Sequence, residues 1–217
     1  MRGLLVKDFR LLLQQKMVII VLLVVAITLN MNGNGSFALG YLCFVGIFLV
    51  LNTLSYDEFD NGYAFLFTLP IDRKTYAVEK YVFGILMSLI CWLAGVVITL
   101  VQSLMGSGMP VEQLLEICPI YIPICLVFLA IMIPFPLIFG REKGMIVMFV
   151  IVGIVVLFIC IAEKQFKNGG LLVMDWIEKS FSNTGYLFFE LIFLAVGVVL
   201  LAISCAVSVA GIQKKEF

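Results

Sequence analysis

Long apolar runs separated by short polar breaks dominate the chain. Six runs stand out, at about residues 17–29, 37–54, 82–104, 118–139, 145–162 and 186–210. A membrane-crossing helix needs about 20 mainly apolar residues, so the pattern predicts an all-α, polytopic protein of six transmembrane helices, one membrane domain over residues 1–217. The first run is short unless Leu11 to Leu13 also enter the lipid, with Lys16 reaching back to the surface. Breaks rich in Gly, Asn and Pro, at 30–36, 106–110 and 140–144, read as turns. The fourth run carries Pro119, Pro123, Pro134 and Pro136, which either kink a gating helix or fray the two ends of a straight one. Residues 163–185 form a longer break whose Leu172, Val173, Trp176 and Ile177 share a helical face, suited to the membrane surface.

Ahead of the first run, residues 1–16 alternate with helical period. Leu4, Leu5, Phe9, Leu12 and Leu13 fall on one face, Lys7, Arg10 and Gln14 on another, as in a helix lying in the headgroup plane. The first apolar run follows this charged lead and has no small-residue cleavage site, so no removable signal peptide is expected.

The stretch between the second and third runs is different in kind. Asp60, Asn61 and Gly62 make a turn, Tyr63 to Leu69 is apolar but far too short to span, and Leu69-Pro70 closes it. Asp72 stands where an N-cap would open the next helix, ahead of Arg73 and Lys74. An apolar knob held in water needs shelter, either against its own helices or in the groove of another protein. Tyr76 and Tyr81, at the entry to the third span, are expected to anchor at the membrane–water interface.

Composition agrees with the class. Hydrophobic residues make up 63% of the chain and charged ones 13%, about half the charge of a soluble domain. Net charge is +0, so nothing points to a nucleic-acid partner, and the placement of charge matters more than its sum. Arg2, Lys7, Arg10, Lys16, Arg73, Lys74, Lys80, Arg141, Lys143, Lys214 and Lys215 gather on one side of the predicted membrane. Lys164, Lys167 and Lys179 are on the other. The positive-inside rule then places both termini and the Asp57 to Lys80 segment in the cytoplasm.

The six cysteines lie in or beside apolar runs with no paired spacing, so neither a disulfide framework nor a metal site is expected. The chain has no histidine and no GxxxxGK[ST] loop, which removes His-based catalysis, HExxH zinc chemistry and nucleotide hydrolysis by a P-loop. No enzyme activity and no cofactor bound by this chain are expected. Glu190, about one turn inside the last span, is a candidate intramembrane carboxylate. Ala202, Ala206 and Ala210 form a small-residue stripe suited to close helix packing.

The order of an amphipathic lead, six spans, a loop after the second and a Gly-bounded turn after the fourth resembles the permease subunits of ABC-type exporters. The likeness is sharpest at Asn61, Gly62, Leu69, Pro70, Ile71, Arg73, Tyr76, Lys80 and Tyr81, and extends to Phe135-Pro136-Leu137, Gly140 and Glu142-Lys143-Gly144. Within that family it is similar to Gram-positive permeases that expel amphipathic peptides such as phenol-soluble modulins. The resemblance implies a separate cytosolic ATPase that supplies ATP and Mg, a second permease copy in a plasma membrane, and alternating access for a peptide substrate. It also makes the loop a coupling helix, with Asp60, Asn61, Gly62, Tyr63, Phe65, Leu66, Phe67, Leu69, Pro70 and Arg73 as ATPase contacts. Arg141, Glu142 and Lys143 are secondary contacts. The competing readings are a non-transporting immunity or accessory protein and a gradient-driven carrier, which would be expected to carry more midplane charge.

Overall fold

The computed structural model describes residues 1–31, 35–59, 62–66, 68, 72–105, 110–140 and 186–214, with 144, 146, 150, 153 and 157 individually. The chain is all-helical there, with no strand among the described residues. The helices are α1 (Arg2–Gln14), α2 (Lys16–Met31), α3 (Gly35–Glu58), α4 (Gly62–Leu66), α5 (Arg73–Leu104), α6 (Val111–Ile117), α7 (Tyr121–Met132), α8 (Pro134–Phe139) and α9 (Tyr186–Lys214).

Among the described residues four stretches are long and apolar enough to cross a membrane: α3, α5, Val111–Phe139 and Phe188–Gln213. A fifth arises if α1 and α2, bent by 72° at Gln15, are taken together. Most of the run at 145–162, the loop at 163–185 and the basic residues Arg141, Lys143 and Lys215 lie outside the described residues. The third helix opens at its predicted cap, Asp72, and leads into the run that starts at 82; the helical stretch that carries the fourth run begins at Val111, ahead of 118.

α5 has 32 residues. At 1.5 Å each it is about 48 Å long against about 30 Å of hydrocarbon, so its first turns stand beyond the lipid core. The prolines segment the fourth span without sharply bending it. Cys118–Ile120 tightens into a 3-10 turn at Pro119, α8 starts on Pro134, and no break there exceeds 40°. Proline is tolerated at these positions because a first-turn N–H has no intrahelical acceptor to lose.

α3 is the central helix and is buried over most of its length, packing chiefly on α5; α9 packs chiefly on α7. α9 meets its neighbours through Gly197, Ser204, Ser208 and Gly211, whereas Ala202, Ala206 and Ala210 are exposed. The expected alanine stripe is therefore not the internal packing face. Serines were preferred because their hydroxyls are needed: Tyr81 Oη lies 2.7 Å from both Ser204 Oγ and Ser208 Oγ, and Ser204 in turn donates to the Ala130 carbonyl. Tyr81 and Tyr76 are buried, not interface anchors. Each hydroxyl has a protein partner, which stabilises burial of the ring.

Candidate functional site

One end of the bundle collects α1, the end of α3, α4, the start of α5, the Gly140 turn and the end of α9. Its centre is a group of ionisable side chains that the sequence left scattered. On α1, Leu4, Asp8 and Leu12 recur every four residues and face the bundle, all buried. The apolar face read from sequence is thus split: Phe9 and Leu13 stay partly open to the surroundings, Phe9 edge-on to the buried Phe83, and an acid sits on the inward stripe.

Asp8 and Asp57, from α1 and α3, both meet Lys80 of α5. The Lys80 ammonium contacts an Asp8 carboxylate oxygen, lies 2.7 Å from Asp57 Oδ2 and 3.5 Å from Thr53 Oγ1, and stands 5.3 Å from the Tyr76 ring centre. Lys7 bridges the same two acids from outside, contacting Asp57 Oδ1 and lying 3.2 Å from Asp8 Oδ1. Tyr76 Oη donates to Asp57 Oδ2 at 3.0 Å, and Tyr63 of α4 packs edge-on against Tyr76 with ring centres 5.8 Å apart. Two acids and two bases from three helices thus form a charge-balanced clamp. An isolated buried charge would be strongly disfavoured, whereas a paired and hydrogen-bonded one is held.

The titration of these groups follows. Burial alone would push the Asp57 carboxyl up, but Lys80 and Lys7 prevail and hold it below the usual range. Burial alone would pull Lys80 down, yet Asp57 and Asp8 keep it raised. Glu79 is the exception. It is buried, neither carboxylate oxygen has a hydrogen-bond partner among the described residues, and burial pushes it up to about 7 despite the attraction of Lys80. Burial also raises Tyr63 and Tyr76.

The clamp closes the base of the loop between α3 and α5. A Cβ on Gly62 would lie 2.5 Å from the Asp57 carbonyl oxygen, so only glycine allows α4 to fold back this closely. Tyr63 and Leu66 are both buried. These two expected ATPase contacts pack into the chain's own apolar core, the first of the two shelters open to the knob. Arg73, another expected contact, donates at 3.4 and 3.5 Å to the Ile212 and Gln213 carbonyls. It thereby satisfies the end of α9. Asp72 occupies the N-cap position without a side-chain bond. Of the other predicted contacts, Asp60, Asn61, Phe67, Leu69, Pro70, Arg141, Glu142 and Lys143 lie outside the described residues, as does the side chain of Phe65. Glu190 is partly exposed near the opposite end of α9, roughly 33 Å along the helix from Ile212.

Gly140 closes the same end. Its φ of 83° with ψ of 174° is a conformation open essentially to glycine alone, and a Cβ there would lie 2.5 Å from Glu58 Oε1. Gly140→Ala is expected to destabilise by about 1–3 kcal/mol, read as a lower melting temperature in detergent. Because the strain is in the backbone, adding Glu58→Ala should not restore it; full restoration would assign the loss to the side-chain contact instead.

Among the described residues no group of His, Cys, Asp or Glu is arranged to hold a metal, and Cys43, Cys91, Cys118 and Cys125 are free and buried. The clamp is not legible in the sequence because Lys7 and Lys80 count there only as bases on one side of the membrane, and Asp8 and Asp57 carry no assigned role. One signal was available: Asp8, four residues from Leu4 and from Leu12, is an acid on an apolar helical stripe, and such a position demands a basic partner.

A set of long apolar helices whose ion pairs, among the described residues, gather at one end defines a polytopic membrane protein. The family model for ABC-2 family transporter proteins matches residues 3–213, nearly the whole chain, and the protein belongs to that family. It is a permease, the membrane component of an ABC transporter, and works with a partner ATPase subunit. No curated protein and no solved structure matches the chain.

Proposed function

We propose that the chain is the permease of an ATP-driven exporter of amphipathic peptides, paired with a second permease copy in a bacterial plasma membrane. On this reading six spans are present, the clamp end faces the cytoplasm, and the loop between α3 and α5 is the coupling element. ATP and Mg act in the partner ATPase. The observation that carries the reading is the clamp itself. It ties the two ends of the loop, Asp57 before it and Tyr76 and Lys80 after it, to α1. A push on the loop is then delivered to α1, α3 and α5 together, as a switch between inward- and outward-facing states requires. Tyr56 and Phe59, 49% and 61% exposed, add apolar surface beside the loop for a partner to cover.

With Tyr63 and Leu66 turned inward, the contact falls to the rest of the loop: Asp60, Asn61, Phe65, Phe67, Leu69 and Pro70. The test is a Phe65→Asp, Phe67→Asp double variant. It should insert normally, lose the co-purifying ATPase and lose peptide export from reconstituted vesicles. Normal co-purification with normal export would refute the coupling role. Leu66→Asp is a poor substitute, since a buried leucine changed to an acid harms the fold first.

A further inference from the structure

The elbow between α1 and α2 encloses a groove that the coupling mechanism does not use. It has a volume of about 250 Å³ and is walled by Phe9 and Leu13 of α1, Ile19 of α2, Leu42 of α3, and Met87 and Ala94 of α5, among others. Every lining residue is apolar. The shape is fixed by polar contacts outside it: Asn52 donates to Gln15 Oε1 at 2.8 Å at the corner, and the charge clamp holds α1 down. We propose that this groove holds one acyl chain of an anionic phospholipid, with Arg10 and Lys16 beside the headgroup.

Two observations select this occupant. An apolar cavity repels water and accepts hydrocarbon, and this one lies in the elbow where α1 and α2 are bent by 72°. The charge around the elbow is of one sign: between Asp8 and Asp57 the sequence has no acidic residue, while Arg10 and Lys16 are both exposed. Lys16 stands between the lining residues Leu13 and Ile19, within a helical turn of the groove.

The test uses the full-length protein in phosphatidylcholine vesicles containing a phosphatidylglycerol with a photoreactive group on one acyl chain. Crosslinks are expected to concentrate at Ile19 and Met87 over Leu191, Val198 and Ile203, which are exposed on α9. Ala94→Trp, which fills the groove, should abolish them. Replacing Arg10 and Lys16 by glutamine should lower labelling by roughly fivefold for each base removed, and these surface changes leave folding intact if Ala94→Trp does not. Equal labelling of α9 and the groove would mean ordinary boundary lipid and overturn the proposal. Equal labelling by a phosphatidylcholine probe would overturn the anionic assignment. Displacement of the probe by an amphipathic helical peptide would give the groove to substrate and overturn the acyl-chain assignment.

Discussion

Lys80→Met is expected to destabilise the protein more than any surface change on the same helices. The substitution keeps the size of the stem but removes the ammonium from between two buried carboxylates. Breaking a buried pair on one side typically costs about 3–5 kcal/mol, because the remaining charge has lost its partner. Lys7 tempers this: it still contacts both Asp8 and Asp57, and its own side chain is partly exposed. The lower end of the range, about 3 kcal/mol, is therefore the better expectation. For a chain of this length that corresponds to roughly 6–12 °C in melting temperature, measurable by fluorescence in detergent. Adding Asp8→Asn should recover most of the loss, since the orphaned acid is then neutral while Asp57 retains Lys7 and Tyr76. Arg10→Ala, on the exposed side of α1, should shift stability by no more than about 0.5 kcal/mol. If Lys80→Met melts like Arg10→Ala, the clamp does not hold α1 to the bundle.

The second large effect is in the pH dependence of stability, and Glu79 sets its sign. The folded protein holds the Glu79 proton up to about pH 7, whereas the unfolded chain releases it near 4.5. Below the lower value both states are protonated and the residue contributes nothing. As pH rises to about 7 the unfolded state gains from ionising while the folded state does not, so stability falls, by about 3 kcal/mol at its limit. The groups around Glu79 act outside this window. Asp57, held below 3.8, stabilises above that pH and ceases to do so only as pH falls through its lowered value. Lys80, held above 10.5, stabilises until pH rises past its own raised value. Glu79→Gln should therefore flatten the stability profile between about pH 4.5 and 7 and stabilise the protein at pH 8. A variant that kept the full slope would assign the titration to another group.

Several features were legible in the chain before any coordinates. Periodicity and run length established a helical membrane protein, and the caps and turns at Asp72, Gly62 and Gly140 marked where helices begin and stop. These depend on a residue's immediate neighbours, through backbone geometry and the requirement that long apolar runs leave water. The resemblance carried by Asn61, Gly62, Leu69, Pro70 and the Tyr76, Lys80, Tyr81 entry pointed to the same family as the match over residues 3–213. The roles of those residues were not legible. Of the two shelters open to the apolar knob, Tyr63 and Leu66 take the one on their own chain, and Tyr76 and Tyr81, expected at the membrane–water interface, lie inside. Arg73, which the resemblance makes an ATPase contact, donates to the end of α9.

The reason is that burial of a charge or an aromatic ring is decided between elements. Lys7 and Asp8 are separated by some 50 to 70 residues from Asp57 and Lys80, and nothing in their local spacing announces the meeting. Taken alone, the sequence determined that the chain lives in a bilayer as helices, because the hydrophobic effect acts on each run separately. Only the tertiary structure decided which charges leave water, because a buried charge is tolerated solely where the fold brings its opposite within contact.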